Sequence, residues 1–144
     1  MIDWQARREQ LISLQELITG SLQEIKTVLR NDASARAKAA DVYGLMVRYI
    51  SRQDDEFYRA LKSCHAEDYK ALKMIDFFIQ DLKALKVSLF VFEDQYLTGR
   101  LGNAGKGFVT DWLGLSRDIL TRFQTEQVQL FPLLVPSKGS SVAS

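Results

Sequence analysis

Ionisable side chains interrupt the apolar stripes of several helical segments in this sequence. Arg8, Asp54, Arg122 and Glu126 each lie three or four residues from apolar members of such a stripe. This spacing places all of them on the inward face of their helices. Buried charges are costly unless they are paired, so the pattern predicts arginine–carboxylate contacts inside the protein. Two interpretations stay open: a structural network that closes one end of the core, or a polar pocket open to a partner.

The elements that must position these groups are helices. Apolar residues recur at steps of three and four through nearly the whole chain, and no long alternation typical of strands occurs. Helices are predicted over residues 4–29, 34–62, 67–97 and 110–131, with Asp3 as the N-cap of the first. The links between them are mostly short, which favours an all-α, antiparallel up-down-up-down four-helix bundle. In that arrangement Arg8 faces Asp54, and the end of the fourth helix lies nearby.

Each predicted helix has its own stripe of core candidates. The first and second stripes are Leu11, Leu14, Ile18, Leu22, Ile25, Leu29 and Val42, Met46, Ile50, Phe57, Leu61. The third and fourth are Leu72, Ile75, Ile79, Leu82, Leu85, Leu89, Phe92, Tyr96 and Trp112, Leu115, Ile119, Phe123, Leu130.

Size and composition describe an ordinary globular chain. The 144 residues are 47% hydrophobic and 26% charged, which fits one domain, predicted over residues 1–135, with a disordered tail at 136–144. The net charge of +1 gives no general attraction to nucleic acid, and no apolar run approaches the length of a membrane span. The single cysteine, Cys64, fits a reducing compartment. We therefore expect a cytoplasmic protein that binds neither nucleic acid directly nor membrane.

Catalytic and metal chemistry find little support in the sequence. The only histidine, His65, is predicted to lie in a turn next to Cys64, whereas di-iron bundles need several histidines or Glu-x-x-His pairs. Where a hemerythrin-like bundle would carry an HxxxE ligand pair, this chain has residues 52–56 and 122–126, each beginning with arginine and ending with glutamate. An arginine there could take the place of a metal ion. The glycine-rich stretch 99–107 departs from a phosphate-binding loop in spacing. We expect no catalytic residue, no metal and no cofactor, and hence not an enzyme.

Three segments in order carry a resemblance to a known family. They are Trp4-x-x-x-Arg8-x-x-Leu11-Ile12 through Gly20, Val47-x-Tyr49-Ile50-Ser51 with Tyr58 nine residues after Tyr49, and Leu120-x-Arg122-Phe123-x-x-Glu126. Together they resemble the regulator-of-sigma-D and AlgQ family of bacterial anti-sigma factors. The chain departs from the family where an aspartate before the tyrosine is Arg48 here, and where Ala-Gly-His is replaced by Arg52-Gln53-Asp54.

The resemblance implies a transcriptional regulator that acts by sequestration. Its partner would be region 4 of the housekeeping sigma factor, a basic helix-turn-helix, which it would keep from core RNA polymerase and from the −35 element. The partner-binding residues carried over or suggested by position are Trp4, Arg8, Tyr49, Ser51, Asp54, Asp55, Tyr58, Arg122, Phe123 and Glu126. Phe131-Pro132 is more like hemerythrin-like bundles, so a degenerate, metal-free member acting as a sensor or interaction module stays an alternative. A self-associating bundle, including a weak homodimer, is a third.

Overall fold

The computed structural model describes residues 2–30, 32–98 and 107–134, and this part of the chain is helical without any strand. The α-helices are α1 (Trp4–Lys26), α2 (Ala33–Ser51), α3 (Asp55–Cys64), α4 (Tyr69–Phe92) and α5 (Phe108–Thr125). A π-helical turn, Glu93–Leu97, continues α4, and a second, Glu126–Leu130, continues α5 into a short 3-10 helix, Phe131–Leu134. The predicted all-α class is confirmed.

Aspartate side chains fix where the first four helices begin. Asp3, Asp32, Asp54 and Asp68 each accept a hydrogen bond from the backbone N–H three residues ahead, at 2.9–3.1 Å. A cap of this kind satisfies one of the amide groups that the first helical turn leaves without a partner. The prediction of Asp3 as an N-cap is confirmed.

The predicted second helix is two helices, so the described part of the chain has five α-helices rather than four. The helix stops at Ser51, and Asp54 starts α3 by accepting the N–H of Phe57. Asp54 is exposed, so its predicted place on the inward face is wrong. Gln53, which lies within the break, is instead the buried polar residue of this segment, at 1% exposure.

The core lies where these helices meet. α1 contacts α2 and α5, while α4 contacts α3 and α5. The stripes predicted for the second and fourth helices are buried throughout. In α4 the buried face is turned slightly, because Ala71 and Phe78 are buried whereas Leu72 and Ile79 are only half-buried. No helix within the described ranges combines the length and apolar character needed to cross a membrane.

The turn between α3 and α4 is tied to the end of the described chain. His65 follows the last residue of α3, in the turn that the sequence predicts. Its Nε2 lies 2.9 Å from the carbonyl oxygen of Leu133. This contact holds the 3-10 helix against the α3–α4 turn. The glycine-rich stretch at 99–106 and the predicted tail at 136–144 lie outside the described residues.

Candidate functional site

A single hydrogen-bonded cluster inside the protein joins all five α-helices. We call it the Arg122–Glu126 network, and its members are Gln15, Tyr49, Gln53, Tyr58, Asp81, Arg122, Glu126 and Gln127. The i, i+4 spacing of Arg122 and Glu126 brings both side chains to the inner face at the end of α5. The carboxylate belongs to the first residue of the π-helical turn.

Arg122 uses all five of its N–H donors. Nε donates to Glu126 Oε2 at 2.6 Å, and Nη2 donates to Gln53 Oε1 at 2.7 Å and Tyr58 Oη at 3.0 Å. Nη1 donates to Asp81 Oδ2 at 2.9 Å and to the carbonyl oxygen of Phe78 at 3.0 Å. The guanidinium also lies 5.0 Å from the ring centroid of Phe78. Because Arg122 is only 3% exposed, these partners replace the water that its guanidinium would bind at a surface.

Glu126 accepts hydrogen bonds on both carboxylate oxygens. Oε2 accepts from Arg122 and from Gln53 Nε2 at 2.9 Å. Oε1 accepts from Gln15 Nε2 at 2.9 Å and from the hydroxyl of Tyr49. The carboxylate is fully buried, and no buried side-chain atom of the network lacks a partner. Full pairing is what makes this buried charge tolerable.

Burial changes the proton affinities of the groups around the ion pair. Burial raises the pKa of Tyr49 well above its ordinary value, and the Glu126 carboxylate adds to this rise. Burial also raises the pKa of Tyr58, although the Arg122 guanidinium acts in the opposite direction. For Arg122, burial lowers the pKa, but its interactions with Glu126, Tyr58 and Asp81 together outweigh burial and raise it. Both phenols therefore stay protonated donors and the arginine stays charged at neutral pH.

The predicted site residues divide into an interior and an exterior set. Tyr49, Tyr58, Arg122, Phe123 and Glu126 are buried, and the ring of Tyr49 packs edge-on against that of Phe123 at 4.9 Å. The structural network, rather than an open pocket, is the interpretation that this burial fits. The network reaches the surface through Asp81, whose side chain is 42% exposed.

The exterior set lies around the break between α2 and α3. Ser51, Asp54 and Asp55 are exposed, while Trp4 and Arg8 are half-buried. The predicted approach of Arg8 to Asp54 is not formed, because Asp54 is engaged as the helix cap and Arg8 takes no part in the network.

A neighbouring arginine contacts the break between α2 and α3, although it does not pair with Asp54. Arg7 Nη1 donates to the carbonyl oxygen of Arg52 at 2.8 Å, and its guanidinium lies 5.6 Å from the ring centroid of Phe57. Trp4 packs edge-on against the same ring at 5.6 Å. The start of α1 is thereby fastened to the break between α2 and α3.

Sequence reasoning missed the three glutamines of the network and Asp81. Gln15 lies four residues after Leu11 and three before Ile18, so the spacing rule that selects Arg122 also selects this glutamine. Gln53 could be found only by placing the break correctly. Asp81 lies three residues after Phe78, at the edge of the buried face of α4.

The donor set of the network does not suit a metal ion. A guanidinium cannot ligate, and around it stand two phenols, two amides and one buried carboxylate with both oxygens already paired. Among the residues that the structure describes, no group of three or more His, Cys, Asp or Glu side chains is placed to hold a metal.

Comparison of the chain with protein-family models, with curated proteins and with solved structures gives no match.

Proposed function

We propose that this protein is a non-catalytic regulator of the anti-sigma type, which binds region 4 of a housekeeping sigma factor. In this proposal α2 and α3 together take the place of the second helix in an antiparallel up-down-up-down four-helix bundle. The chain would keep its partner from core RNA polymerase and from the −35 element.

The observation that carries the proposal is that the three segments behind the family resemblance lie in mutual contact. Gln15, within the first segment, donates to Tyr49 of the second at 2.9 Å and to Glu126 of the third at 2.9 Å. Arg122 of the third donates to Tyr58 of the second at 3.0 Å. Residues that resemble one family in order along the chain thus form one physical unit, which is what a shared fold would require.

The buried network would support such a function from inside, and the partner would meet the exterior set. Asp55 and Glu56 are exposed in the first turn of α3, next to the capping Asp54. Carboxylates of this kind attract a basic, DNA-reading module and raise its rate of association. Trp4, half-buried against Phe57, offers an aromatic side chain beside them.

Co-purification with sigma region 4 from the same organism tests the proposal. At tens of micromolar, size-exclusion chromatography should give a complex that weakens with added salt, because the attraction is partly electrostatic. Replacing Asp55 by Asn together with Glu56 by Gln should weaken binding by roughly tenfold. The matched control, Glu16→Gln with Glu24→Gln on the exposed face of α1, should leave it unchanged. If the unchanged protein forms no complex, the proposal is wrong.

A second candidate is a metal-free, hemerythrin-like bundle that acts as a sensor or an interaction module. The observation in its favour is that Arg122 and Glu126 stand at the spacing of an HxxxE ligand pair, with the guanidinium paired to the carboxylate inside the protein. Elemental analysis of protein purified without chelator tests the metal-free part. Stoichiometric iron or zinc would contradict it, and a sigma region 4 complex would favour the first candidate instead.

A further inference from the structure

A groove of about 590 Å³ lies between the C-terminal end of α1 and α5. Its apolar lining includes Leu22 and Trp112, which are buried, and Leu113, which is 41% exposed. Sites for small molecules commonly measure roughly 300–1,000 Å³ and are lined mainly by apolar side chains. The groove has the size of such a site, and its lining combines apolar side chains with polar ones such as Gln23 and Gln124.

Two cations come from the two helices that form its walls. Lys26 is the last residue of α1, and Arg117 lies near the middle of α5. The described residues that line the groove include no Asp or Glu, and within the described part of the chain neither cation forms an ion pair. Unpaired positive charge over an apolar floor is complementary to a ligand with an anionic head and an apolar body.

Two of the hydroxyl groups that line the groove are already committed as donors. Ser116 Oγ donates to the carbonyl oxygen of Trp112 at 2.8 Å, and Thr27 Oγ1 donates to that of Glu24 at 2.9 Å. They can therefore accept but not donate to a ligand. Lys26 and Arg117 are the charged groups of the groove that can hold an anionic oxygen.

We infer that this groove binds a small anionic amphiphile, such as a medium-chain fatty acid. Its carboxylate lies between Lys26 and Arg117, and its chain lies against Leu22, Leu113 and Trp112. The inference does not depend on sigma-factor binding, since the groove uses the C-terminal end of α1 whereas the break between α2 and α3 contacts its N-terminal end.

Tryptophan fluorescence can detect and locate the ligand in one experiment. The sequence has two tryptophans, so Trp4→Phe leaves Trp112 as the single reporter in the full-length chain. Titration with laurate, below the concentration at which it forms micelles, should give a saturable change in Trp112 emission. Dodecanol and dodecyltrimethylammonium have the same chain with a neutral or cationic head. Each should bind at least about tenfold more weakly, because the two cations contribute nothing to the first and repel the second.

Charge removal in the same Trp4→Phe background separates this groove from binding elsewhere. Lys26→Gln with Arg117→Gln should weaken laurate binding by roughly tenfold or more. The matched control, Lys83→Gln with Lys86→Gln on the exposed face of α4, should leave it unchanged.

Three outcomes would overturn the inference: no saturable signal, equal affinity for laurate and dodecanol, or equal weakening in both double variants. If an acidic amphipathic peptide binds in the groove and laurate does not, the site takes a protein segment and the small-ligand inference is wrong.

Discussion

The two ends of α5 fill the core in different ways. Towards its N-terminus, Phe108 and Trp112 pack against Phe92 of α4, with ring centroids 6.0 and 5.4 Å apart. Towards its C-terminus, Arg122 and Glu126 form hydrogen bonds with side chains of α1, α2, α3 and α4. Ring packing tolerates side chains of similar volume, whereas a buried ion pair requires each of its partners. One helix therefore has an aromatic end, at Phe108 and Trp112, that tolerates similar side chains, and an ion-pair end, at Arg122 and Glu126, that does not.

The ion-pair end of α5 specifies how the helices must be placed against one another. A shift of α5 along its neighbours would separate the Arg122 donors from acceptors on α3 and α4, and would leave buried charge without partners. An apolar interior of the same volume would penalise the same shift less, because hydrophobic burial has no direction. The network thus favours one arrangement of the helices even where it adds little net stability.

The largest expected effect on stability is at the ion-pair end of α5. Glu126→Ala should lower the free energy of unfolding by about 2–4 kcal/mol, because Arg122 stays buried without its carboxylate. Thermal or urea unfolding measures this loss. Glu16→Ala, on the exposed face of α1, is the control and should change stability by less than about 0.5 kcal/mol. A Glu126→Ala protein as stable as the unchanged one would mean that Glu126 points to water.

Alkaline conditions should weaken the same end next. Burial is the largest cause that raises the pKa of Tyr49 and of Tyr58 in the folded protein above the ordinary 10.0, and the Glu126 carboxylate adds to both rises. Their contribution to stability is therefore complete below pH 10.0 and is lost as the pH rises above it. Each such tyrosine should lower the free energy of unfolding by about 1.4 kcal/mol per pH unit in that range.

Urea unfolding between about pH 9 and pH 11 measures this dependence. Tyr58→Phe should make the decline shallower by one tyrosine, whereas Tyr69→Phe, at a ring that is 72% exposed, should not change it. Equal slopes in the unchanged protein and in Tyr58→Phe would show that this phenol does not hold its proton more tightly when the protein is folded.

A substitution at the aromatic end of α5 should cost less stability when the volume of the side chain is nearly kept. Phe92→Leu is expected to lower the free energy of unfolding by less than about 1.5 kcal/mol, because the neighbouring rings can adjust to a similar side chain. Denaturant unfolding beside Glu126→Ala makes the comparison direct. A loss at Phe92 as large as that at Glu126 would remove the difference between the two ends of α5.

The smallest expected effect is at the break that brings Gln53 into the network. Asp54→Ala should cost about 1 kcal/mol, the usual value of a helix cap. Asp55→Ala, in the same turn but without a capping bond, should cost only a few tenths of a kcal/mol. If the two variants are equally stable, Asp54 contributes nothing as a cap. A loss well above that of a cap would show that it also holds Gln53 in place.

Much of this architecture could be predicted from the spacing of apolar residues. The buried stripes of α2, α3 and α5 follow from that spacing, and so do the inward positions of Arg122 and Glu126. Periodicity failed at the break, because Asp54 takes an inward position in an uninterrupted helix but here lies outside both helices as the cap of α3, whereas Phe57 and Leu61 beyond it are buried as predicted. The run Asp54-Asp55-Glu56, an N-cap followed by acidic residues, is the local signal that a helix begins there.

Only part of the polar interior could be predicted by the same reasoning. Charged residues in an apolar stripe attract notice, whereas Gln15 and Gln53 carry no charge and look like ordinary surface residues. Their value as partners depends on geometry across helices that are far apart in sequence. The hydrogen bond of Gln15 to Glu126, for example, spans 111 positions.

That separation has a consequence for the order of events during synthesis. A nascent chain that has emerged only as far as α4 already contains Gln15, Tyr49, Gln53 and Asp81. It does not yet contain Arg122 and Glu126, with which these side chains form hydrogen bonds. Translation must therefore deliver α5 and its π-helical turn before the interior can close. Until then these amide and phenol groups stay hydrogen-bonded to water.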